Sequence, residues 1–259
     1  MPSEDSMPRF GGRTIEENLA RAVAAGKVVA HEGGWSLPAQ AKASPYLPVK
    51  SALPLECHFL NDFLFSHAYA RSAVPFGCRN CFKVKIVPRT FRGLIALRTL
   101  LEAAPYHSKC GVDFHNPHSR DVYAGFLYLD GLAAAREAWN EMRPLVEAEP
   151  DLGATTVMTI KRGCSNYEAA CGPSDAWTFD DGAAEREAAL KARFYSPPKP
   201  PPNYPLLRAA KMVGWMQIAY SIGDDTYMDF TGGRPLHPPM VAYPPQPSQG
   251  EEDSVPSGP

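Results

Sequence analysis

The 259-residue chain is 44% hydrophobic and 21% charged, with a formal net charge of −2, which is typical of a globular protein with one large domain and appendages. The near-neutral charge argues against a dedicated nucleic-acid-binding protein, which needs a clustered excess of lysine and arginine. No apolar run approaches the roughly 18–20 residues that cross a bilayer, and the N-terminal sequence MPSEDSMPRFGG lacks the basic and apolar regions of a secretory signal. We therefore expect a cytoplasmic protein that binds neither nucleic acid nor membrane.

The N-terminal part of the chain is predicted to be helical after a disordered segment at residues 1–12. The sequence Thr14-Ile-Glu-Glu17 is a capping box, in which the side chains of Thr14 and Glu17 satisfy backbone N–H groups at the start of a helix. A loop rich in proline and serine follows, and a second helix carries Cys57. We assign residues 13–76 to an N-terminal helical segment that packs on the core.

The middle of the chain, residues 77–195, predicts an α+β core. Phe82, Val84 and Ile86 alternate with lysines, which is the pattern of a half-buried strand. The segments that follow predict, in chain order, a helix after Thr90, a short strand at 110–114, a strand at 122–129, a helix from Leu132 to Val146 and a strand at 154–160. The order β-α-β-β-α-β is that of the split βαβ, or ferredoxin-like, arrangement. We therefore predict an α+β fold with a ferredoxin-like core, N-terminal helices and a Pro-rich C-terminal extension.

The C-terminal extension divides into two predicted parts. Residues 196–231 combine a polyproline linker, SPPKPPPNYP, with one helix. Residues 232–259 are Pro-rich and then acidic, and we expect them to be disordered.

The cysteines give the main functional signal. Cys78 and Cys81 lie three positions apart just before the first predicted core strand, and four more cysteines are scattered through the chain. In a reducing cytoplasm disulfides are rare, and grouped cysteines more often bind metal or perform chemistry. The alternatives are unrelated buried thiols or a redox-active pair.

The predicted topology gathers the cysteines. A ferredoxin-like sheet has the strand order 4-1-3-2 with antiparallel neighbours, so the starts of its first two strands and the ends of its last two lie at one edge. Cys78 and Cys81 precede the first strand, Cys110 begins the second, and Cys164 follows the fourth. We predict that these cysteines bind one cofactor, with Cys57 or Cys171 replacing Cys110 or Cys164 if the strand boundaries differ.

The spacing favours a [4Fe–4S] cluster over zinc. Structural zinc sites usually combine two short cysteine pairs, whereas this chain has one pair and single cysteines, and iron–sulfur clusters are held by four thiolates. Glycines beside three of the cysteines, Gly77, Gly111 and Gly163, would let the backbone approach a bulky cofactor.

The predicted function is therefore that of an iron–sulfur redox protein, working in electron transfer or in a reductive or biosynthetic step, and so a candidate oxidoreductase. Its partner would be a redox protein or a small anionic substrate, attracted by the cationic side chains predicted near the same edge, Arg79, Lys109, Lys161 and Arg162. The alternative is a zinc-stabilised interaction or regulatory module. His115 and His118 are assigned to a polar hairpin loop.

Overall fold

The computed structural model describes residues 8–38, 44–51, 56–113, 121–195 and 204–238, together with residues 241 and 243. The predicted loop with His115 and His118 and most of the polyproline linker lie outside the described residues. So do the first seven residues and most of the C-terminal tail. The predicted domain boundaries stay predictions.

The described chain is a mixed α+β structure, which confirms the predicted class. Its strands are β1 (Val29–His31), β2 (Gly34–Ser36), β3 (Tyr46–Lys50), β4 (Cys81–Val87), β5 (His107–Val112), β6 (Tyr123–Asp130) and β7 (Val157–Arg162). Its α-helices are α1 (Ile15–Ala24), α2 (Phe91–Ala103), α3 (Leu132–Ala148), α4 (Ser165–Cys171), α5 (Ala183–Ala192) and α6 (Tyr204–Ile222). A π-helix spans His58–Ala68, and 3-10 helices span Phe76–Cys78 and Asp225–Phe230.

The main sheet has five strands in the order β3-β5-β6-β4-β7, and all neighbours are antiparallel. Along the chain, its last four strands alternate with helices in the order β4-α2-β5-β6-α3-β7. Strands β1 and β2 form a separate two-stranded sheet. Because β4 lies between β6 and β7, the residues before β4 and after β7 emerge side by side.

Helices cover one face of this sheet. Val84 and Ile86 of β4 are fully buried in a core that includes residues of α2, α3 and α6, as the alternation of β4 predicts. Thr90 caps α2, because its hydroxyl accepts a hydrogen bond from the backbone N–H of Gly93 at 3.1 Å. Lys83 and Lys85 therefore point to the opposite face, where the candidate site lies.

The N-terminal helices form a second apolar cluster. The predicted capping box is confirmed, since Glu17 N–H donates to the Thr14 hydroxyl at 3.2 Å and Thr14 N–H donates to the Glu17 carboxylate at 2.8 Å. The helix that follows Cys57 is not the expected α-helix but a π-helix, which buries Phe59, Phe63 and Leu64 among other side chains. None of the described helices has both the length and the apolar character needed to cross a bilayer.

Candidate metal centre and adjoining pocket

Three of the predicted ligands lie together at one end of the sheet. Cys78 ends the 3-10 helix, Cys81 is the first residue of β4, and Cys164 follows β7. The backbone N–H of Gly163 donates to the carbonyl of Cys81 at 2.7 Å, which fixes the end of β7 against the start of β4. All three cysteines belong to one small apolar cluster around Tyr167 and Trp177.

The structure does not bring Cys110 to this group. Strand β5 begins at His107, three positions before Cys110. Cys110 of β5 lies opposite Gly125 of β6, and Gly125 in turn lies opposite Ile86 of β4. Ile86 is five positions after Cys81, so Cys110 is displaced from Cys81 by about 17 Å along the strand direction. Cys110 is fully buried on the helix-covered face. Burial raises the pKa of its thiol to about 12.

Of the two possible replacement ligands named above, Cys171 ends α4 and packs against the same apolar cluster, but burial alone raises its pKa. Cys57 is the one whose charge affects the pKa values of Cys78 and Cys81. Cys57 directly precedes the π-helix and is the exposed member of the group. Partial burial raises the pKa of its thiol, and the charge of Cys164 raises it further. The pKa values of Cys78 and Cys81 are likewise raised by burial first and then by the other thiols, Cys57 included. Each of these thiols is thus within electrostatic range of the other three.

We call Cys57, Cys78, Cys81 and Cys164 the four-cysteine group. All of them are free thiols, with no disulfide between them. Within the part of the chain that the structure describes, no three His, Cys, Asp or Glu side chains form a group that could hold a single metal ion.

Two polar side chains contact the sulfurs of the group. Lys83 Nζ lies 3.1 Å from Cys164 Sγ, and the Tyr167 hydroxyl lies 3.4 Å from Cys78 Sγ. Burial alone would lower the pKa of Lys83, but the neighbouring Cys164 outweighs burial and the pKa is raised. Burial alone would raise the pKa of Cys164, but Lys83 and more distant lysines bring it below its ordinary value. The pair therefore favours an ammonium next to a thiolate.

A buried carboxylate holds the turn that carries Cys78. Glu187 of α5 accepts hydrogen bonds from the backbone N–H groups of Phe76 at 2.6 Å and Gly77 at 3.0 Å, and from the Tyr69 hydroxyl at 3.1 Å. Sequence reasoning missed Glu187, because a single acid on a polar helix gives no sign of its distant backbone partners.

The segment after β7 is fixed by Arg162 and Gly163. Arg162 donates to the backbone carbonyls of Arg79 at 2.9 Å and Ser174 at 2.8 Å, so it ties chain segments together and is not directed at an anion. Gly163 has φ +60°, and a Cβ there would lie 2.8 Å from the ring of Trp177. This glycine therefore makes room for an indole, which differs from the predicted approach to a cofactor.

A pocket of about 370 Å³ adjoins the group on the open face of the sheet. Cys164 and Lys83 line it together with Lys109 and Lys161, two of the cationic residues predicted at this edge. Ring side chains of β3 and β6 and the amides of Asn61 and Asn166 form other parts of its wall. Lys83 was missed as a site residue, because a lysine that alternates with apolar residues in a strand is normally solvent-exposed.

Comparison of the chain with protein-family models, with curated proteins and with solved structures gives no match. Functional inference therefore starts from the side chains themselves.

Proposed function

We propose that the chain is an iron–sulfur redox protein in which Cys57, Cys78, Cys81 and Cys164 hold a [4Fe–4S] cluster. The observation that carries the proposal is that the free cysteines Cys78, Cys81 and Cys164 lie in one apolar cluster at one end of the sheet. Cys57 is included because its charge affects the pKa values of Cys78 and Cys81. A cluster of this kind takes four thiolates. The cysteine sulfurs of such a cluster are further apart than those around a single metal ion, because the iron and sulfide atoms of the cluster lie between them.

A bound cluster would change the electrostatics of the group. Three of the thiols have raised pKa values, first because of burial and then because each negative charge disfavours the next. Bound iron reverses this preference, since a metal deprotonates the thiols that coordinate it. The Lys83 ammonium and the Tyr167 hydroxyl would donate hydrogen bonds to the cluster sulfurs, a recognised influence on cluster potential.

We further propose that the core is ferredoxin-like. The support is the chain order β4-α2-β5-β6-α3-β7 together with the sheet order β7-β4-β6-β5. In this arrangement the N-terminal segment supplies the fourth ligand from outside the core. The exposed position of Cys57 would leave the cluster near the surface, where electrons can pass to a partner protein or a small substrate.

The test is to purify the protein without oxygen and to measure iron, acid-labile sulfide and visible absorption. We expect about four iron and four sulfide atoms per chain. Cys57→Ser should remove most of the iron and the colour, because it deletes a ligand. The matched control is Cys110→Ser, which should retain both, since Cys110 lies on the other face of the sheet.

Equal loss of iron from the two variants would contradict the revised ligand set. A colourless protein with stoichiometric zinc would instead support the zinc-stabilised interaction module as the function of the chain.

The contact between Lys83 and Cys164 favours a second function, in which Cys164 is the nucleophile of a metal-free enzyme. Reactive cysteines are thiolates stabilised by neighbouring cations, and the lysines bring the pKa of Cys164 below its ordinary value despite burial. This function requires that the purified protein contains no metal and that iodoacetamide modifies Cys164 first. An iron-bearing preparation in which Cys164 is protected contradicts it.

A further inference from the structure

Cationic side chains outnumber anionic ones in the lining of the pocket beside the four-cysteine group. Lys83, Lys109 and Lys161 all line it. Among the ion pairs of the described residues, none joins any of these lysines to a carboxylate. Ammonium groups that are partly removed from water need a counter-charge or hydrogen-bond acceptors to offset the cost of desolvation.

Lys109 is the clearest case. Its ammonium group lies 4.4 Å from the ring centroid of Tyr46, 5.6 Å from that of Phe126 and 5.5 Å from that of Tyr128. Ring faces attract a cation but neutralise no charge. The three rings thus position the Lys109 ammonium at the pocket wall and leave its charge available to a ligand.

Lys161 and Lys83 add charge to the same wall. Lys161 Nζ donates to the Ser165 hydroxyl at 2.6 Å, which is a neutral acceptor. Lys83 is the lysine whose ammonium group contacts Cys164 Sγ directly. Lys109 and Lys161 are held by ring faces and by a hydroxyl, so each can also contact an anion in the pocket.

The carboxylate in the pocket wall is already engaged. Asp113 is 3% exposed, accepts a hydrogen bond from the Tyr46 hydroxyl and pairs with Lys85 at 3.5 Å. Its ion pair in the described residues is thus with Lys85 of β4 and with neither Lys109 nor Lys161.

We propose that this pocket binds a small organic anion, a carboxylate or a phosphate, through Lys109 and Lys161. Phe126 and Tyr128 would contact the apolar part of the ligand, and the paired amides of Asn61 and Asn166, 2.9 Å apart, would offer further polar contacts. A volume of about 370 Å³ is at the small end of ligand sites. The binding site adjoins the four-cysteine group but does not depend on iron, because its charge comes from the lysines.

The test measures binding of three probes to the full-length, anaerobically purified protein by calorimetry. The probes are benzoate, phenyl phosphate and neutral benzamide, which share a ring and differ in charge. We expect at least one of the anions to bind about tenfold or more tightly than benzamide, because charge-assisted hydrogen bonds to an ammonium are lost with the neutral probe. Tighter binding of benzoate assigns the site to carboxylates, and tighter binding of phenyl phosphate assigns it to phosphates.

The variants Lys109→Gln and Lys161→Gln should each weaken binding of the preferred anion by about tenfold. Lys109→Arg should retain binding, because it keeps the charge. The matched control is Lys27→Gln, which removes an exposed lysine at the end of α1, away from the pocket, and should change nothing. Equal binding of benzamide and the anions, or equal weakening by Lys27→Gln, would overturn the proposal.

Iron content is measured on the same samples, so the two proposals are tested separately. Anion binding by a protein without iron would leave the pocket proposal intact and contradict the iron–sulfur function. A protein that contains iron but binds neither anion would support the iron–sulfur function and contradict the pocket proposal.

Discussion

The buried side chain of Lys83 lowers the pKa of the neighbouring Cys164 thiol. Lys83 is 6% exposed, and its ammonium lies 3.1 Å from Cys164 Sγ. The desolvation of a buried cation costs several kcal/mol unless a counter-charge offsets it. A negatively charged sulfur beside Lys83 is therefore more stable than a neutral thiol. The same contact would stabilise a thiolate that coordinates iron.

Cys110, in the helix-covered core, and Cys57, in the four-cysteine group, should be protected from alkylation by different causes. Cys110 is fully buried with a pKa raised to about 12, so at about pH 8 only roughly one molecule in ten thousand carries its thiolate. In the iron-loaded protein we expect iodoacetamide to spare both Cys110 and Cys57. After iron is removed by a chelator, exposed Cys57 should react while Cys110 should react only on unfolding. Peptide mapping by mass spectrometry measures both rates.

Rapid labelling of Cys57 before chelation would show that no cluster protects it. Labelling of Cys110 at the rate of Cys57 in the folded protein would contradict its assignment to the helix-covered core.

At the level of elements, strand β4 could be predicted and the start of β5 could not. Phe82, Val84 and Ile86 alternate clearly with lysines, and β4 spans Cys81–Val87. The first residues of β5 are polar and resemble a loop, although Ser108 is fully buried and Lys109 lies against rings of β3 and β6. The strand identity of these residues depends on partners in other strands, which a local pattern does not contain. The predicted strand began at Cys110, whereas β5 begins at His107. The prediction that Cys110 lies at the sheet edge was wrong for this reason.

The π-helix was the second element that local pattern could not predict. Its hydrogen bonds run from one residue to the fifth before it, as from Tyr69 N–H to the Leu64 carbonyl at 2.8 Å. Such helices are rare and occur often at functional sites. The α-helical period of 3.6 residues per turn therefore assigns the side chains of this segment to the wrong faces. The sequence therefore named Cys57 only as a possible replacement ligand.

Glu187 of α5 holds the 3-10 helix Phe76–Cys78, so we expect its removal to lower the stability of the protein. Glu187→Ala removes a carboxylate that accepts two backbone N–H bonds and leaves those groups without their acceptor. We expect the free energy of unfolding to fall by about 1–3 kcal/mol. Urea denaturation monitored by circular dichroism measures it. The matched control on the same helix is exposed Glu185→Ala, which should change stability by no more than about 0.5 kcal/mol.

An effect of Glu187→Ala as small as that of the control would mean that the 3-10 helix carrying Cys78 does not depend on α5 for its position.

At the scale of the whole molecule, the candidate site joins parts of the chain that are far apart in sequence. Cys57 comes from the N-terminal helical segment, Cys78 precedes β4, Cys81 is the first residue of β4, and Cys164 follows β7. The sequence predicted the proximity of the last three, because strand order alone determines it. It could not predict how the N-terminal segment packs on the sheet, since that packing depends on tertiary contacts of the π-helix. The N-terminal segment is thus part of the proposed site.

The most direct test of the iron–sulfur proposal is an anomalous diffraction experiment on crystals of the anaerobically purified protein, with data collected on both sides of the iron absorption edge. The proposal predicts one compact iron peak surrounded by the sulfurs of Cys57, Cys78, Cys81 and Cys164. A metal peak whose height does not change across the iron edge, iron located elsewhere, or no metal peak between these sulfurs would contradict it.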